Sequence, residues 1–122
     1  MYNDKVIKVF QDAKNSGVIE NANGIGQVGN AECGDIMKMY LLIKDDKIED
    51  AKFQTYGCAA AIASSSVATE MIKGKSIKYA LSLKNAQVVE VLEGLPPQKI
   101  HCSVLAEEAI KAAIDDYKKN KK

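Results

Sequence analysis

Arginine and tryptophan are absent from this chain, and its 122 residues hold two prolines, one histidine and only 6% aromatics. Without arginine it lacks the planar, bidentate donor that reads phosphates and base edges. Without tryptophan, and with few other rings, it offers no platform for base stacking. The charges nearly cancel, seventeen lysines against sixteen acids for a net +1, so no strong field draws the chain to a polyanion. These absences argue against nucleic-acid binding. No apolar run approaches the ~18 residues of a membrane span. The start, MYNDKVIKVF, lacks the basic head, greasy middle and small-residue cleavage site of a secretory signal. The expectation is a cytoplasmic protein without membrane attachment, or a mature form already stripped of its leader.

What is present suits a globular domain: 47% apolar and 27% charged residues, at a length near the commonest domain size. No repeat or linker interrupts it, so one domain over 1–122 is expected. Residues 4–14 carry helical spacing, with Val6, Ile7, Phe10 and Ala13 on one side and Asp4 as the cap. Residues 15–30, rich in Asn and Gly, read as a loop with a short strand near its end. DIMKMYLLIK (35–44) alternates, with Met37, Met39, Leu41 and Ile43 facing one way. After a DDK turn, IEDAKFQTY (48–56) alternates again, and the pair reads as an antiparallel hairpin. CAAAIASSSVATEMIKG (58–74) is a helix of small residues, which permit close backbone approach. Helices follow over 76–83 and 85–93, stopped by Gly94 and Pro96-Pro97. The last helix, about 100–118, has a regular stripe of Leu105, Ala106, Ala109, Ile110, Ala113, Ile114 and Tyr117. The order predicts an α+β fold: a small antiparallel three-stranded sheet packed on one face by helices.

GIGQVG (24–29) matches the G-x-G-x-x-G dinucleotide fingerprint, but no strand precedes it and no helix follows. The pyrophosphate is then offered no helix N-terminus, and these glycines read as shaping a flexible loop.

The chemistry lies with three cysteines, an odd number that cannot all pair internally. Cys33 enters a strand, Cys58 sits at a strand-to-helix corner, and Cys102 lies in the first turn of the last helix. A lone cysteine reads as a small buried hydrophobe. Three at element ends, with Asp35 and His101 beside them, read as ligands. Cys58 and Cys102 open helices, where the dipole favours thiolate, and Lys99 adds positive charge. The intervals of 25 and 44 residues are far wider than a zinc finger's pairs, so the fold must gather the ligands itself. Such a site can stay open and release what it holds. In an extended segment Cys33 and Asp35 point to one side, since Gly34 lies between them. His101 and Cys102 are helix neighbours whose side chains diverge by roughly 100°. The favoured set is therefore the three cysteines plus Asp35, with His101 able to substitute; the carboxylate would be one weak bond in a thiolate-rich centre. A cysteine hydrolase built on Cys102 or Cys58 with His101 as base is disfavoured, because the pair is poorly directed and no orienting Asn or Asp is evident.

These residues carry a resemblance. YNDKV (2–6), VGNAECGDIMK (28–38), FQTYGCAAAIASSSVATE (53–70), IKGKS (72–76) and LPPQKIHCSVLAEEAIKAAIDDY (95–117) closely resemble the IscU/NifU-type iron–sulfur cluster assembly scaffolds. The resemblance implies a non-enzymatic scaffold. On it a [2Fe–2S] cluster is built from iron and persulfide sulfur delivered by a cysteine desulfurase, then passed to acceptor apoproteins, with a ferredoxin and an iron donor taking part. It implies Cys33, Cys58 and Cys102 as cluster ligands, Cys102 as persulfide acceptor, Asp35 as the residue keeping the cluster labile, and His101 as the histidine beside it. Leu95, Pro96, Pro97, Gln98 and Lys99 match the segment recognised by an Hsp70-type chaperone with its J-type co-chaperone, although Gln98 replaces the familiar valine. The common Pro-Arg-Asn after the first helix is here Ala13-Lys14-Asn15. Tyr2 matches a tyrosine linked with dimerisation, and a monomer or weak homo-oligomer is expected. His101, with no insertion before Cys102, aligns the chain with true scaffolds rather than sulfur-transfer relatives. The expectation is a stand-alone scaffold, without the further domains of longer NifU proteins. The alternative is a zinc-binding sulfur-acceptor or transfer protein using the same cysteines, since zinc occupies them when iron and sulfide are lacking. The Pro-Pro pair has two readings: an extended, exposed segment for a chaperone, or a stop that aims the next helix.

Overall fold

The computed structural model describes residues 2–30 and 35–120. A short helix, α1 (Asp4–Asp12), precedes three strands, β1 (Gly24–Asn30), β2 (Asp35–Lys44) and β3 (Lys47–Tyr56). Four helices follow: α2 (Ala59–Ile72), α3 (Ile77–Ser82), α4 (Asn85–Val91) and α5 (Ile100–Asn120), the last entered through a 3-10 turn at Pro97–Lys99. The strands form one antiparallel sheet in the order β1-β2-β3, and the predicted α+β architecture holds. Asp45 and Asp46 both take left-handed φ, 54° and 60°, the conformation of a two-residue hairpin turn that matches strand twist.

Register explains which face is covered. Gly26 pairs with Met39 and Met39 with Phe53; one step along, Gly24, Leu41 and Ala51 form the next row. Because side chains alternate, these rows share a face, and Met39, Leu41, Ala51 and Phe53 are all buried. α5 lies over β1 and β2 on this face, and α2 over β3, where the Thr55 and Ser65 hydroxyls meet at 2.7 Å. The predicted α5 stripe is the buried one, from Cys102 through Ala106, Ala109, Ile110, Ala113 and Ile114. The small residues of α2 let it sink into the middle of the structure, where most of them are fully enclosed.

Three expectations change. GIGQVG is no flexible loop but most of β1. A side chain on Gly24 would lie 2.6 Å from the Ala113 carbonyl oxygen, and one on Gly26 would overlap the Ala113 nitrogen. The glycines are there so that α5 can rest directly on the strand backbone. In α1 the cap is Asn3, not Asp4: its Oδ1 accepts the Val6 N–H at 2.8 Å. Of the predicted apolar face, Val6 is buried but Ile7 and Phe10 stay 41% and 39% exposed. α1 rests chiefly on α2, so its core contact is a narrow line, shared by Val6 and Val9.

Gly26→Ala is expected to cost about 3 kcal/mol of unfolding free energy by overpacking α5 against β1. Urea denaturation followed by circular dichroism measures it; an unchanged midpoint would show that the helix is free to shift.

Candidate metal centre

Register also builds the site. Ile36 pairs with Tyr56, so Asp35, at the start of β2, faces the corner where β3 gives way to α2. That corner is Gly57-Cys58, with Cys58 at the N-cap of α2. Asp35 Oδ1 accepts the Cys58 N–H at 3.3 Å, one of the donors that every helix start leaves unpaired. A side chain on Gly57 would collide with that oxygen, so glycine is the residue that lets the carboxylate reach the corner.

The 3-10 turn supplies the remaining ligands. Pro96 starts it and Pro97 occupies its first position, where a missing N–H costs nothing. The turn continues into α5, so of the two readings of the Pro-Pro pair the fold displays the one in which it aims the next helix. Leu95, Pro96 and Lys99 are half-buried, and Pro97 and Gln98 are exposed. The turn also orients the only histidine: His101 Nδ1 meets the Gln98 carbonyl at 3.1 Å. The carbonyl can only accept, so Nδ1 carries a proton and Nε2 is turned inward, the orientation usual for a metal-bound imidazole.

His101 Nε2 lies 3.2 Å from Asp35 Oδ2 and 3.6 Å from Cys102 Sγ. Cys102 Sγ lies 3.6 Å from Cys58 Sγ. Ligand atoms of Asp35, Cys58 and Cys102 all fall within 4.8 Å of one another. The expected divergence of His101 from Cys102 is thus overturned, because the long imidazole bends back over the short thiol. Four of the five predicted ligand residues converge; Cys33 lies outside the described residues. These ligand atoms are electron-pair donors facing one another, a set suited to a thiophilic cation. Cys102 and Asp35 are buried, while Cys58 is half-buried and His101 exposed, so the cluster of ligands opens to solvent on one side.

A second correction concerns charge. Helix position was expected to favour thiolate at Cys102, but burial pushes this thiol up to about 12, with the Cys58 thiol and the Asp35 carboxylate adding to the rise and Lys99 opposing it. Desolvation outweighs the helix dipole here. Without a cation, Cys102 is a protonated thiol.

Sequence reasoning missed three contributors. Gly57 is needed for clearance, the Gln98 carbonyl for orientation, and Tyr2 packs against Ala60, Ala61 and Cys102 alongside Cys58. Only the Gly-Cys junction left any mark in the sequence pattern.

A profile of the NifU-like N-terminal domain family matches residues 1–122. The chain belongs to that family. An iron–sulfur cluster assembly scaffold protein IscU of Archaeoglobus fulgidus is 58% identical over 117 residues, covering 96% of this chain and 76% of the relative. The protein of that name from Escherichia coli K12 is 53% identical over 121 residues, covering 96% and 94%. A NifU-like N-terminal domain from Brucella abortus superposes with a TM-score of 0.75 at 17% identity, covering 96% of this chain and 94% of that one, a likeness of fold.

The raised Cys102 pKa has a sign that can be tested. Folding keeps this thiol protonated, so its contribution to stability is whole below the ordinary thiol value of 9.0 and is lost as pH climbs towards about 12. The metal-free protein is expected to lose urea resistance above pH ~9, and Cys102→Ala to flatten that loss. Metal binding is expected to release the Cys102 proton, seen as a buffer-dependent calorimetric heat.

Proposed function

We propose that the chain is a scaffold on which a [2Fe–2S] cluster is assembled and from which it is transferred to acceptor apoproteins. The observation that carries this reading is the convergence of Asp35, Cys58 and Cys102 within 4.8 Å, with His101 Nε2 aimed at the same point. Family membership and the scaffold names of relatives at 53–58% identity support it. Thiolates suit an iron–sulfur cargo and a carboxylate binds it more weakly. A ligand set of this composition, open on one side, holds a cluster without locking it in. Cys33 is proposed as the third thiolate, with Asp35 and His101 sharing the fourth position.

Sulfur arrives as a desulfurase persulfide. The Cys102 thiolate attacks its outer sulfur; a new S–S bond forms on Cys102, the desulfurase S–S bond breaks, and the desulfurase cysteine leaves as thiolate. Reducing that sulfur to sulfide takes two electrons, supplied one at a time by a ferredoxin, and an iron donor brings Fe²⁺. Cys102 begins buried and protonated, so the attack requires the first turn of α5 to open and its proton to be taken; His101 Nε2, 3.6 Å away, is the nearest base. Leu95–Lys99 is proposed as the contact for the Hsp70-type chaperone and its J-type co-chaperone, whose engagement would loosen the turn that aims His101 and Cys102. A cytoplasmic location is part of this proposal; no helix among the described residues is long and apolar enough to cross a membrane.

Anaerobic incubation with Fe²⁺, cysteine, a reductant and a cysteine desulfurase is expected to give a coloured protein with iron and acid-labile sulfide in equal amounts. Cys33→Ser, Cys58→Ser and Cys102→Ser should each abolish the stable chromophore. Asp35→Ala should retain it and hand it to an apo-ferredoxin roughly tenfold more slowly. Zinc uptake with neither colour nor sulfide would overturn the reading in favour of a zinc-bound sulfur acceptor.

A further inference from the structure

Tyr2 and Asn3 stand at the rim of the site. Asn3 uses both ends of its amide. While Oδ1 caps α1, Nδ2 faces the carbonyls of Leu92, Glu93 and Gly94 at 3.1, 3.1 and 3.2 Å. These lie just beyond α4, where Glu93 and Gly94 turn the chain with φ of 62° and 108°. One side-chain amide thus ties the start of α1 to the bend that leads into the Pro-Pro turn.

Tyr2 packs against Ala60, Ala61 and Cys102, alongside Cys58 and Leu95. Its hydroxyl stands close enough to the Cys58 thiol and the Ala60 N–H for both to act on its ionisation. Cys58 itself makes no side-chain cap on α2, and a residue 56 positions before it packs beside that helix start. Burial and the Cys58 contact hold the phenol above its ordinary pKa, as befits an enclosed hydroxyl. The cover sits on Cys58, the more accessible of the two described thiols.

We propose that residues 2 and 3 form a strap over the site: Asn3 latches it to the end of α4, and this keeps Tyr2 packed beside Cys58, shielding that thiol until the strap lifts. Asn3 is a positioning residue that acts through Tyr2. Serine or aspartate would cap α1 equally well, but neither can donate to the three carbonyls. The latch, not the cap, requires asparagine. The strap rests on the cluster-scaffold reading only in its consequence, that loading begins when Tyr2 leaves Cys58.

The test is pulse labelling of the reduced, metal-free full chain with iodoacetamide at pH 8, with Cys58 and Cys102 quantified by peptide mass spectrometry. Asn3→Ser is expected to speed Cys58 labelling roughly fivefold relative to Cys102, the shift that one net hydrogen bond sustains, with helix content unchanged. Tyr2→Ala should speed it at least as much. The double variant should be no faster than Tyr2→Ala alone, because a latch without its cover has nothing to hold. Additive effects in the double variant, or a wild-type Cys58 rate in Asn3→Ser, would overturn the latch. If Asn3→Ser unfolds the chain and exposes both thiols alike, Tyr2→Ala decides, and an unchanged Cys58 rate there overturns the strap. Altered labelling in a protein that takes up no iron and sulfide would leave the strap standing and remove the scaffold reading.

Discussion

The Asp35 carboxylate is the joint on which the site depends. One oxygen accepts the Cys58 N–H and the other meets His101 Nε2, so a single side chain links the start of β2, the β3–α2 corner and the first turn of α5. Its side chain is largely enclosed, and an enclosed carboxylate is tolerated only when its oxygens are engaged. Holding it there brings two sulfurs to 3.6 Å of each other. The same oxygens that hold the corner together are those a cation would claim. Filling the site and fastening the fold are therefore competing uses of one group.

The sheet and α5 make that joint possible. α5 lies against β1 with no side chain between them at Gly24 and Gly26, which sets how far its first turn projects beyond the sheet. The Pro-Pro turn then determines the direction of entry, and the Gln98 carbonyl the rotation of the imidazole. Each device is short-range, and each acts on a different coordinate of the same two residues, His101 and Cys102. A site assembled from three elements in this way yields when any one moves, which suits a protein that must release its cargo. It contrasts with a closed structural zinc site, in which the metal itself organises the peptide.

Much of the fold is legible in local pattern. The alternation of 35–44 and 48–56 and the stripe of α5 are legible because each encodes burial on one periodic face, and the helix expected over 58–74 forms over Ala59–Ile72 because its small residues let it be enclosed on nearly every side. β1 was harder to read. Its glycines resemble loop residues, and their purpose, the approach of Ala113, belongs to a partner almost ninety residues away. α1 misleads for the opposite reason: Ile7 and Phe10 continue an apolar stripe that its neighbour is too narrow to cover.

The sequence by itself determined the ligand types, their placement at element ends and the spacing that demands a preformed fold, because these are properties of residue chemistry and order along the chain. Tertiary structure alone decided that His101 bends back towards Asp35, that Cys102 is sealed and protonated, and that Tyr2 packs on a helix it does not belong to. Each of these rests on contacts between residues distant in the chain, or on water excluded by packing, and neither is written in local periodicity.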